Sequence, residues 1–266
     1  MSKKVTDGLL HPQVSTKLEN VRQPHEAVFL SDIHLGTRSL QAKALASFLE
    51  EVDTRQLYLV GDIIDFWNLN SLNQYWSKQH TRVIKAIVKL VKRGTRVVYV
   101  PGNHDEVLRE ITPIAFSGFL IVDEAKFEFR GRRYLVIHGD AFDHMLKIAK
   151  PLYVLGAFVY DFLVMFNRFY NSVRRLFGRP YWSLSMYLKH RAKEAVGIMK
   201  KFESLALQYA RSQGCDGVIC GHIHNPVLNT EIGYFNCGDG IENLTYIGVT
   251  LDGVFYLGTY DFLGTS

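Results

Sequence analysis

The segment YVPGNHDEVL, residues 99–108, runs from an apolar strand into a turn and then presents an amide, an imidazole and two carboxylates in succession. A turn needs glycine or asparagine, but it does not need four functional side chains in a row. These side chains are Asn103, His104, Asp105 and Glu106. We interpret the first two as residues of a functional site and expect Asp105 and Glu106 to cap the helix that follows.

Polar side chains follow an apolar strand in the same way at four further points. They are Asp32 and His34 in FLSDIHLG, Asp62 and Asp65 in LVGDIIDFW, His138 and Asp140 in LVIHGD, and His222 and His224 in VICGHIHNP. In open α/β sheets the carboxyl ends of the strands face the ligand crevice. The five strand ends can therefore converge on one pocket.

The elements between these points predict an α/β fold. Apolar runs predict strands at 27–31, 56–61 and 96–100, and apolar stripes predict helices at about 40–52 and 80–93. Strand and helix alternate, which favours a sheet of parallel strands. Further along, the pattern predicts a hairpin at 126–137, a short strand at 216–220 and a hairpin turn at 251–254.

The residue types at the strand ends are those of a metal site. Imidazoles, carboxylates and an amide oxygen are ligands for manganese, iron or zinc, and crowding them together without a cation would be costly. Asp32 and His34 alternate like residues on one face of a strand and could hold the same ion. His222 and His224 have the same spacing, although a loop could divide them between ions. Each block alone also fits a turn with a solvated histidine, but the ordered set predicts a dinuclear metal site.

The blocks DIH, GDIID, GNHD, HGD and GHIH, in this order, resemble the calcineurin-like metallophosphoesterase superfamily over about residues 28–224. The resemblance implies an α/β fold in four layers, an α/β/β/α sandwich, with two divalent cations bridged by Asp62. Position by position, it implies that one ion is held by Asp32, His34, Asp62 and His224, and the other by Asp62, Asn103, His138 and His222.

The resemblance also implies the activity, a metal-dependent hydrolysis of phosphoester or diphosphate bonds. Two cations bind phosphate oxygens and activate a water for attack on phosphorus. His104 matches the catalytic histidine and is our candidate for protonating the leaving oxygen, and Asp65 matches the carboxylate that orients it. Asp140 fits either a residue that supports a ligand histidine or a plain turn aspartate.

The chain is expected to form one domain with an insertion. Residues 1–26 are polar and non-periodic and predict a flexible extension, whereas 27–266 form the metallophosphoesterase domain, with a helical lid inserted at about 143–212. Residues 147–211 contain twelve Lys or Arg against three Asp or Glu, a net +9, which leaves 5 − 9 = −4 for the remainder. This asymmetry indicates an anionic partner for the insertion.

The most aromatic part of the insertion is PLYVLGAFVYDFLVMFNRFYNSVRRLFGRPYW, residues 151–182. Asp161 and Arg168 leave its apolar run shorter than the roughly 20 residues of a membrane-spanning helix. One interpretation is a helical hairpin packed on the core. The other is a lid that holds an acyl chain or touches the membrane surface through its arginines. Because the aromatic residues lie among long aliphatic ones, we expect no nucleic-acid partner.

Within the superfamily, GDIIDFW, HGD after a Gly-Arg-Arg hairpin, and the helical insertion are similar to the UDP-2,3-diacylglucosamine hydrolases of lipid A synthesis. This implies a lipid-linked diphosphate substrate, Mn²⁺ as the metal, and a cytoplasmic protein peripheral to the inner face of the cell membrane. Iron and zinc share the same ligands. Typical members carry Asn-Arg-Asp where this chain has Asn103-His104-Asp105.

Two other functions stay open. One is a phosphodiesterase or phosphatase for a soluble, nucleotide-like substrate. The other is a non-catalytic metal-binding scaffold, although such proteins usually lose ligands that are all present here. The cysteines, Cys215, Cys220 and Cys237, are odd in number and unconvincingly spaced. We interpret them as reduced core thiols, as expected in the cytoplasm.

Overall fold

The computed structural model describes residues 21–70, 74–146 and 184–260, with side chains described from residue 196 in the last range. The strands are β1 His25–Leu30, β2 Thr54–Val60, β3 Arg96–Val100, β4 Ile114–Phe116, β5 Phe119–Ile121, β6 Ala125–Phe129, β7 Arg132–Val136, β8 Gly217–Cys220, β9 Val227–Asn229, β10 Tyr234–Asn236, β11 Thr245–Thr250 and β12 Phe255–Thr259. The α-helices are α1 Ala42–Glu51, α2 Phe66–Leu69, α3 Lys78–Lys92, α4 Asp143–Leu146 and α5 Leu184–Ser212, and short 3₁₀ helices lie at Glu106–Ile111 and Asp140–Phe142.

The strands form two sheets. The first has the order β12-β11-β1-β2-β3-β5-β4, and the second has the order β6-β7-β8-β10-β9. Strands β1, β2, β3 and β5 are parallel neighbours, as are β7, β8 and β10, whereas the outer strands are antiparallel. The parallel strands end on the same side of each sheet, and those ends carry the five polar blocks.

Alternate residues of β1 show how the layers pack. Ala27 and Phe29 belong to the apolar core between the two sheets, where Phe29 meets Phe127 of the second sheet edge to face. Val28 and Leu30 belong to the other core, which β1 shares with helices α1 and α3. Because successive side chains of a strand point to opposite faces, one strand fills both cores.

The remaining layer lies beside the second sheet. The end of α5, from Ala206, buries Ala206 and Ala210. Tyr209 Oη on the same stretch donates to Glu124 Oε1 over 2.6 Å, just before β6 begins. The protein is therefore a mixed α/β sandwich of two sheets with helices on both sides, as predicted.

The predicted elements agree closely with the structure. The strand 96–100 and the two hairpin turns lie where they were expected, and the two amphipathic helices match α1 and α3 within two residues at each end. The structured part begins earlier than the predicted boundary at residue 27, because β1 starts at His25 and Val21 is buried. Residues 1–20 of the predicted extension lie outside the described residues.

The chain divides into two compact units, one formed by residues up to Asp140 together with those from Ala206, and the other by Ala141–Leu205. The second unit shares most of its residues with the predicted insertion at about 143–212. Within it, Phe142 packs edge to face on Phe202. The aromatic stretch 151–182, including Asp161 and the arginines assigned to lipid phosphates, lies outside the described residues.

Candidate metal centre

The loops that follow β1 and β2 run side by side. Asp32 N donates to Gly61 O over 3.0 Å, and His34 N donates to Asp62 O over 2.8 Å. In the opposite direction, Asp65 N donates to Leu35 O over 2.8 Å. These bonds continue the pairing of the two parallel strands past their ends. Two of the predicted blocks are thereby held in register by their own backbone.

The backbone at Asp32 and His34 differs from the sequence prediction. They were expected to alternate on one face of a strand, but β1 ends at Leu30 and both residues have left-handed φ angles, +52° and +54°. Positive φ values are uncommon for residues other than glycine and cost of the order of 1–3 kcal/mol each. The same conformation recurs at three further predicted ligands, Asp62 at +54°, His222 at +69° and His224 at +51°. The loops thus turn each side chain inward by a route that strand periodicity does not predict.

The Asp62 carboxylate lies at the centre of the converging side chains. Its Oδ2 is 3.4 Å from Nε2 of His138 and 3.9 Å from Nε2 of both His34 and His104. Its Oδ1 accepts a bond from His104 N over 2.8 Å. One carboxylate oxygen therefore faces histidines from three different loops, an arrangement that suits the predicted bridging ligand.

The neighbouring histidines divide between two sides of the site. His224 Nε2 lies 3.1 Å from Asp32 Oδ1. The His222 ring lies against that of His138, with centroids 5.1 Å apart, while its backbone N–H donates to Asp32 Oδ2 over 2.9 Å. The spacing of His222 and His224 left open whether one ion takes both, and the structure directs their rings to different neighbours.

Several buried oxygen and nitrogen atoms in this region, all able to ligate a metal, make no hydrogen bond within the described protein. They are Asp32 Oδ1, His34 Nε2, Asn103 Oδ1, His104 Nδ1 and His138 Nε2. Buried polar atoms are almost always satisfied, so a convergent group of exceptions requires a partner. The atoms are carboxylate, amide and imidazole donors, which suit a transition-metal dication. The residues present therefore fit a metal pair.

The imidazole orientation fits the same interpretation. His138 Nδ1 lies 3.0 Å from Val60 O, so Nδ1–H donates to that carbonyl and Nε2 is the atom directed toward Asp62. Fixing one ring nitrogen by a backbone carbonyl is the usual way in which a protein aims a ligand histidine. Candidate ion-binding groups among the described residues are Asp32 with His34 and His224, Asp32 with Asp62 and His138, and His34 with Asp65 and His104.

The electrostatic field at the site is strongly negative. Burial opposes charge on His138, yet the carboxylates of Asp62 and Asp32 raise its pKa to about 10. Burial is likewise outweighed at His224, where Asp32 raises the pKa to about 9. The pKa values of Asp32 and Asp62 are lowered in spite of burial by the charges of these histidines. A field that holds protons this firmly attracts divalent cations, which would displace them.

Three glycines in the motifs leave space for the ligands. A Cβ at Gly61 would lie 2.2 Å from His138 Nδ1, one at Gly102 would lie 2.3 Å from Asp62 Oδ1, and one at Gly221 would lie 2.5 Å from Asp32 Oδ2. Real Cβ atoms do not approach other atoms this closely. The glycine before each of these three blocks is therefore required by packing against a predicted ligand from another loop.

Asp65 and His104 meet beside the predicted metal ligands. Asp65 Oδ1 caps helix α2 by accepting from Asn68 N over 2.7 Å, while its Oδ2 lies 3.2 Å from His104 Nδ1 and 3.3 Å from His34 Nδ1. Burial lowers the pKa of His104, but Asp65 and the charge of Asp62 outweigh it and raise the pKa above its usual value. Trp67 packs on the His104 ring, with centroids 4.1 Å apart. Asp65 thus contacts a predicted ligand as well as the predicted catalytic histidine.

Asp105 does not cap the helix that follows it, contrary to the sequence prediction. It occupies the N-cap position of the 3₁₀ helix but its side chain makes no capping bond, and it is fully buried. Its oxygens accept from Ile63 N over 2.8 Å, from Gly102 N over 2.5 Å and from Tyr99 Oη over 2.5 Å, with longer bonds from Asp62 N and Ile64 N at 3.3 Å. Asp105 therefore organises the loop of Asp62. Glu106 is exposed.

One relevant carboxylate was missed by the sequence analysis. Asp239 is buried, and its Oδ1 accepts from the backbone N–H groups of Ile241 and Glu242 over 2.8 and 2.6 Å. Its Oδ2 lies 4.0 Å from His224 Nδ1, behind that ligand. The segment NCGDG places Asp239 between two glycines just after β10. An aspartate beside glycine at a strand end is the signal already seen in the other blocks.

The other expectations have mixed outcomes. Asp140, left open as a supporting or a turn residue, forms a two-bond ion pair with Arg109. The three cysteines are buried, as expected for core thiols. In the described ranges, no helix combines the length and the apolar character needed to cross a membrane.

Comparisons with known proteins agree with the chemistry of these residues. The family model for calcineurin-like phosphoesterases matches residues 26–226. The chain is 26% identical over 219 residues to the UDP-2,3-diacylglucosamine hydrolase of Neisseria meningitidis serogroup B, covering 78% of this chain and 86% of that protein. It is 23% identical over 227 residues to the enzyme of the same name from Aromatoleum aromaticum, covering 77% and 83%.

Among solved structures, the chain is similar to one described as a novel archaeal phosphodiesterase. The TM-score is 0.42 at 13% identity, over 87% of this chain and 97% of that chain. The family match spans most of the sequence and all five polar blocks. The family implies a dinuclear metal site, for which the described residues offer candidate ligands. The chain belongs to the calcineurin-like phosphoesterase family and is a phosphoester hydrolase.

Proposed function

We propose that the protein hydrolyses the diphosphate of a lipid-linked nucleotide, UDP-2,3-diacylglucosamine or a related compound, with two Mn²⁺ ions. The observation that carries the metal-dependent activity is the group of buried, unpartnered donor atoms around Asp62. Support for the substrate comes from the names of relatives that share about a quarter of their residues with most of this chain.

The proposed ligands form two sets joined by Asp62. Asp32, His34 and His224 would hold one ion, because His224 and Asp32 are in contact and His34 completes a group with them. Asn103, His138 and His222 would hold the other, with the His138 and His222 rings packed together. When bound, the two cations would act as Lewis acids on the phosphate oxygens.

His104 would supply the proton that the leaving oxygen needs. Its side chain is 24% exposed, so it can reach substrate. Asp65 faces its Nδ1 at 3.2 Å and leaves Nε2 as the group that can donate. Burial lowers the pKa of His104, but Asp65 and Asp62 outweigh it and raise the pKa, which favours the protonated imidazole. Asp65 would therefore orient the imidazole and favour its charged form.

The direct test is hydrolysis of UDP-2,3-diacylglucosamine by the Mn²⁺-loaded protein. We expect activity that is abolished in Asp62→Ala and strongly reduced in His104→Ala. Arg82→Ala, which removes an ion pair between α1 and α3, is a control outside the site. Metal-loaded protein that cleaves no phosphoester or diphosphate would contradict the proposal and favour a metal-binding scaffold.

A second candidate is a hydrolase of a soluble nucleotide-like diester. It is favoured by His104, because the family resemblance seen in the sequence implies arginine at this position in the typical lipid-cleaving enzymes. The same assay with a UDP-sugar that lacks acyl chains separates the two candidates. Higher kcat/KM for the acylated compound supports the lipid-linked substrate, and equal or lower values support the soluble one.

We also propose that the protein works in the cytoplasm at the inner face of the membrane. The support is the net charge of +9 in residues 147–211. Vesicles with anionic lipids should therefore co-sediment the protein more than neutral vesicles do, and the difference should decrease at high salt. Equal sedimentation with both kinds of vesicle would contradict membrane attachment through charge.

A further inference from the structure

Arg109 and Asp140 form a two-bond ion pair beside the proposed metal centre. Arg109 Nη1 donates to Asp140 Oδ2 over 2.9 Å, and Arg109 Nη2 donates to Asp140 Oδ1 over 2.8 Å. The side chains are 34% and 13% exposed. Parallel bonds of this kind add geometric specificity to charge. A pair withdrawn from water is also screened less by salt than a surface pair.

The pair joins two loops that carry proposed ligands of the same ion. Asp140 is two residues after His138, and Arg109 lies in the 3₁₀ helix that follows Asn103. Arg109 Nη2 also donates to Pro101 O over 2.8 Å, two residues before Asn103. One guanidinium thus ties together both ends of the Asn103 loop and the end of the His138 loop.

Other contacts hold the Asn103 loop toward Asp62, whose Oδ1 accepts from His104 N, whereas Arg109 links the same loop to Asp140. His138 is held on its other side by Val60 O, which fixes its ring but not the Asn103 loop. Asn103 Oδ1 has no hydrogen-bond partner in the described protein, so its position depends on the backbone that carries it. A metal site tolerates only a few tenths of an ångström of error in its donor positions. A clamp on both loops would meet this requirement.

We propose that Arg109 is a positioning residue which, through Asp140, fixes the distance between Asn103 and His138 and so the affinity for the second ion. This inference rests on the dinuclear centre proposed above. The proposed role differs from simple stabilisation of the fold, because loss of Arg109 would weaken the binding of only one of the two ions. The Arg82–Glu50 pair provides the comparison, since it has the same chemistry on helices that carry no proposed ligand.

The test is calorimetric titration of metal-free protein with Mn²⁺, together with the electron paramagnetic resonance spectrum of the loaded protein. Arg109→Ala and Asp140→Ala should each bind the second ion roughly 10–100-fold more weakly. At limiting Mn²⁺ they should show the signal of isolated ions in place of a coupled pair. The double variant should be no worse than either single one, Arg109→Lys should keep part of the affinity, and Arg82→Ala should bind two ions like the natural protein.

The outcomes distinguish this inference from the proposed function. If Arg109→Ala binds two ions with unchanged affinity and loses only thermal stability, as Arg82→Ala would, the pair is structural and the inference is wrong, while the dinuclear centre stands. If the natural protein itself binds fewer than two ions, the centre and the inference both fail. Should Arg109→Ala not fold, Asp140→Asn and Arg109→Lys provide the same comparison, because both keep the size of the side chain.

Discussion

Glycines decide whether the ligand side chains can meet. Gly102 is the clearest case, because a Cβ there would lie 2.3 Å from Asp62 Oδ1 and 2.7 Å from Asp62 N. Its backbone needs no left-handed angle, so the requirement is one of space alone. The glycine in GNHD is therefore explained by the proposed bridging ligand of a different loop, 40 positions earlier in the chain.

We predict that Gly102→Ala displaces Asp62 and abolishes Mn²⁺-dependent hydrolysis. The reason is the overlap of the new methyl group with the carboxylate and backbone of Asp62. Activity and bound metal per chain are the measurements. Gly197→Ala in α5 is the matched control, because a Cβ there meets nothing within 4 Å. It should leave activity unchanged and stabilise the helix by about 0.5–1 kcal/mol. Normal metal binding by Gly102→Ala would contradict the prediction.

Asp105 contributes through backbone N–H groups of the loop that carries Asp62. An amide in its place would keep the shape but would present N–H₂ where a carboxylate oxygen accepts. We expect Asp105→Asn to lower the free energy of unfolding by about 2–4 kcal/mol, since buried donors lose a charged acceptor. Urea denaturation measures this change.

The matched control for Asp105 is Tyr99→Phe, which removes only the hydroxyl donor to the same carboxylate. It should cost about 1 kcal/mol, the usual contribution of one hydrogen bond. Equal effects of the two substitutions would show that the backbone bonds of Asp105 contribute little. The loop of Asp62 would then be held by its pairing with the loop of His34 alone.

Strands β1 and β12 are connected at one end by a buried histidine. His25 Nδ1 lies 3.0 Å from Asp53 O, and its Nε2 contacts Tyr256 Oη. These contacts suit a neutral ring, in which Nδ1–H donates to the carbonyl and Nε2 accepts from the hydroxyl. Burial lowers the pKa of His25 below its usual value, and the Asp53 carbonyl only partly offsets this. The start of β1 is therefore sensitive to acid.

We predict that His25 makes the protein less stable as the pH falls below about 6.5, the usual pKa of histidine in an unfolded chain. The folded state binds the proton less tightly than the unfolded state, so the stabilisation is present above that pH. It is lost as the pH falls toward the lowered folded pKa, by at most about 1.4 kcal/mol per pH unit.

Urea denaturation of the natural protein and of His25→Gln, between pH 7.5 and 5, isolates this contribution. Glutamine does not titrate, so the stability difference between the two proteins should shrink as the solution becomes acidic. A difference that stays constant over this range would show that His25 is not neutral in the folded protein. The comparison cancels the effect of the histidines at the metal centre, which both proteins share.

The complete fold brings two buried carboxylates, Asp32 and Asp62, into one group of converging side chains. Folding brings these like charges together, and the charges of His138 and His224 offset their repulsion when no metal is bound. Divalent cations would displace those protons and neutralise the carboxylates instead. Metal binding and fold stability should therefore be coupled.

We predict that a chelator abolishes hydrolysis and lowers the midpoint of thermal unfolding, and that added Mn²⁺ restores both. Mn²⁺ at 100 times its dissociation constant should stabilise the protein by about 2.7 kcal/mol per site. His104→Ala is the control, because it should keep the metal-dependent midpoint while losing about 10²–10⁴-fold in turnover. A midpoint insensitive to both chelator and Mn²⁺ would count against the metal centre.

Much of this protein could be read from local sequence signals. Strand periodicity, helical stripes and glycine-containing turns predicted the main elements, because each depends on residues close together in the chain. The polar blocks at the strand ends indicated a common site, because parallel strands end on the same side of a sheet. The lid function of residues 151–182 and the metal assignment of each ligand stay predictions.

Other features depend on residues that are far apart in sequence. Asp105 resembled a helix cap, yet it binds the loop of Asp62 instead. Asp32 and His34 were expected in a strand, but pairing with the next loop bends them into left-handed angles. The role of Asp239 depends on His224, fifteen positions earlier in the chain. None of these contacts leaves a periodic pattern.

The sequence by itself determined which donor atoms follow which strands, because strand and turn preferences act over a few residues. Only the tertiary structure decided how those donors are shared: Asp62 faces histidines of three loops, His222 and His224 turn to different neighbours, and Arg109 ties Asn103's loop to that of His138. The physical reason is that these distances result from packing two sheets and their loops, and packing is a property of the whole folded chain.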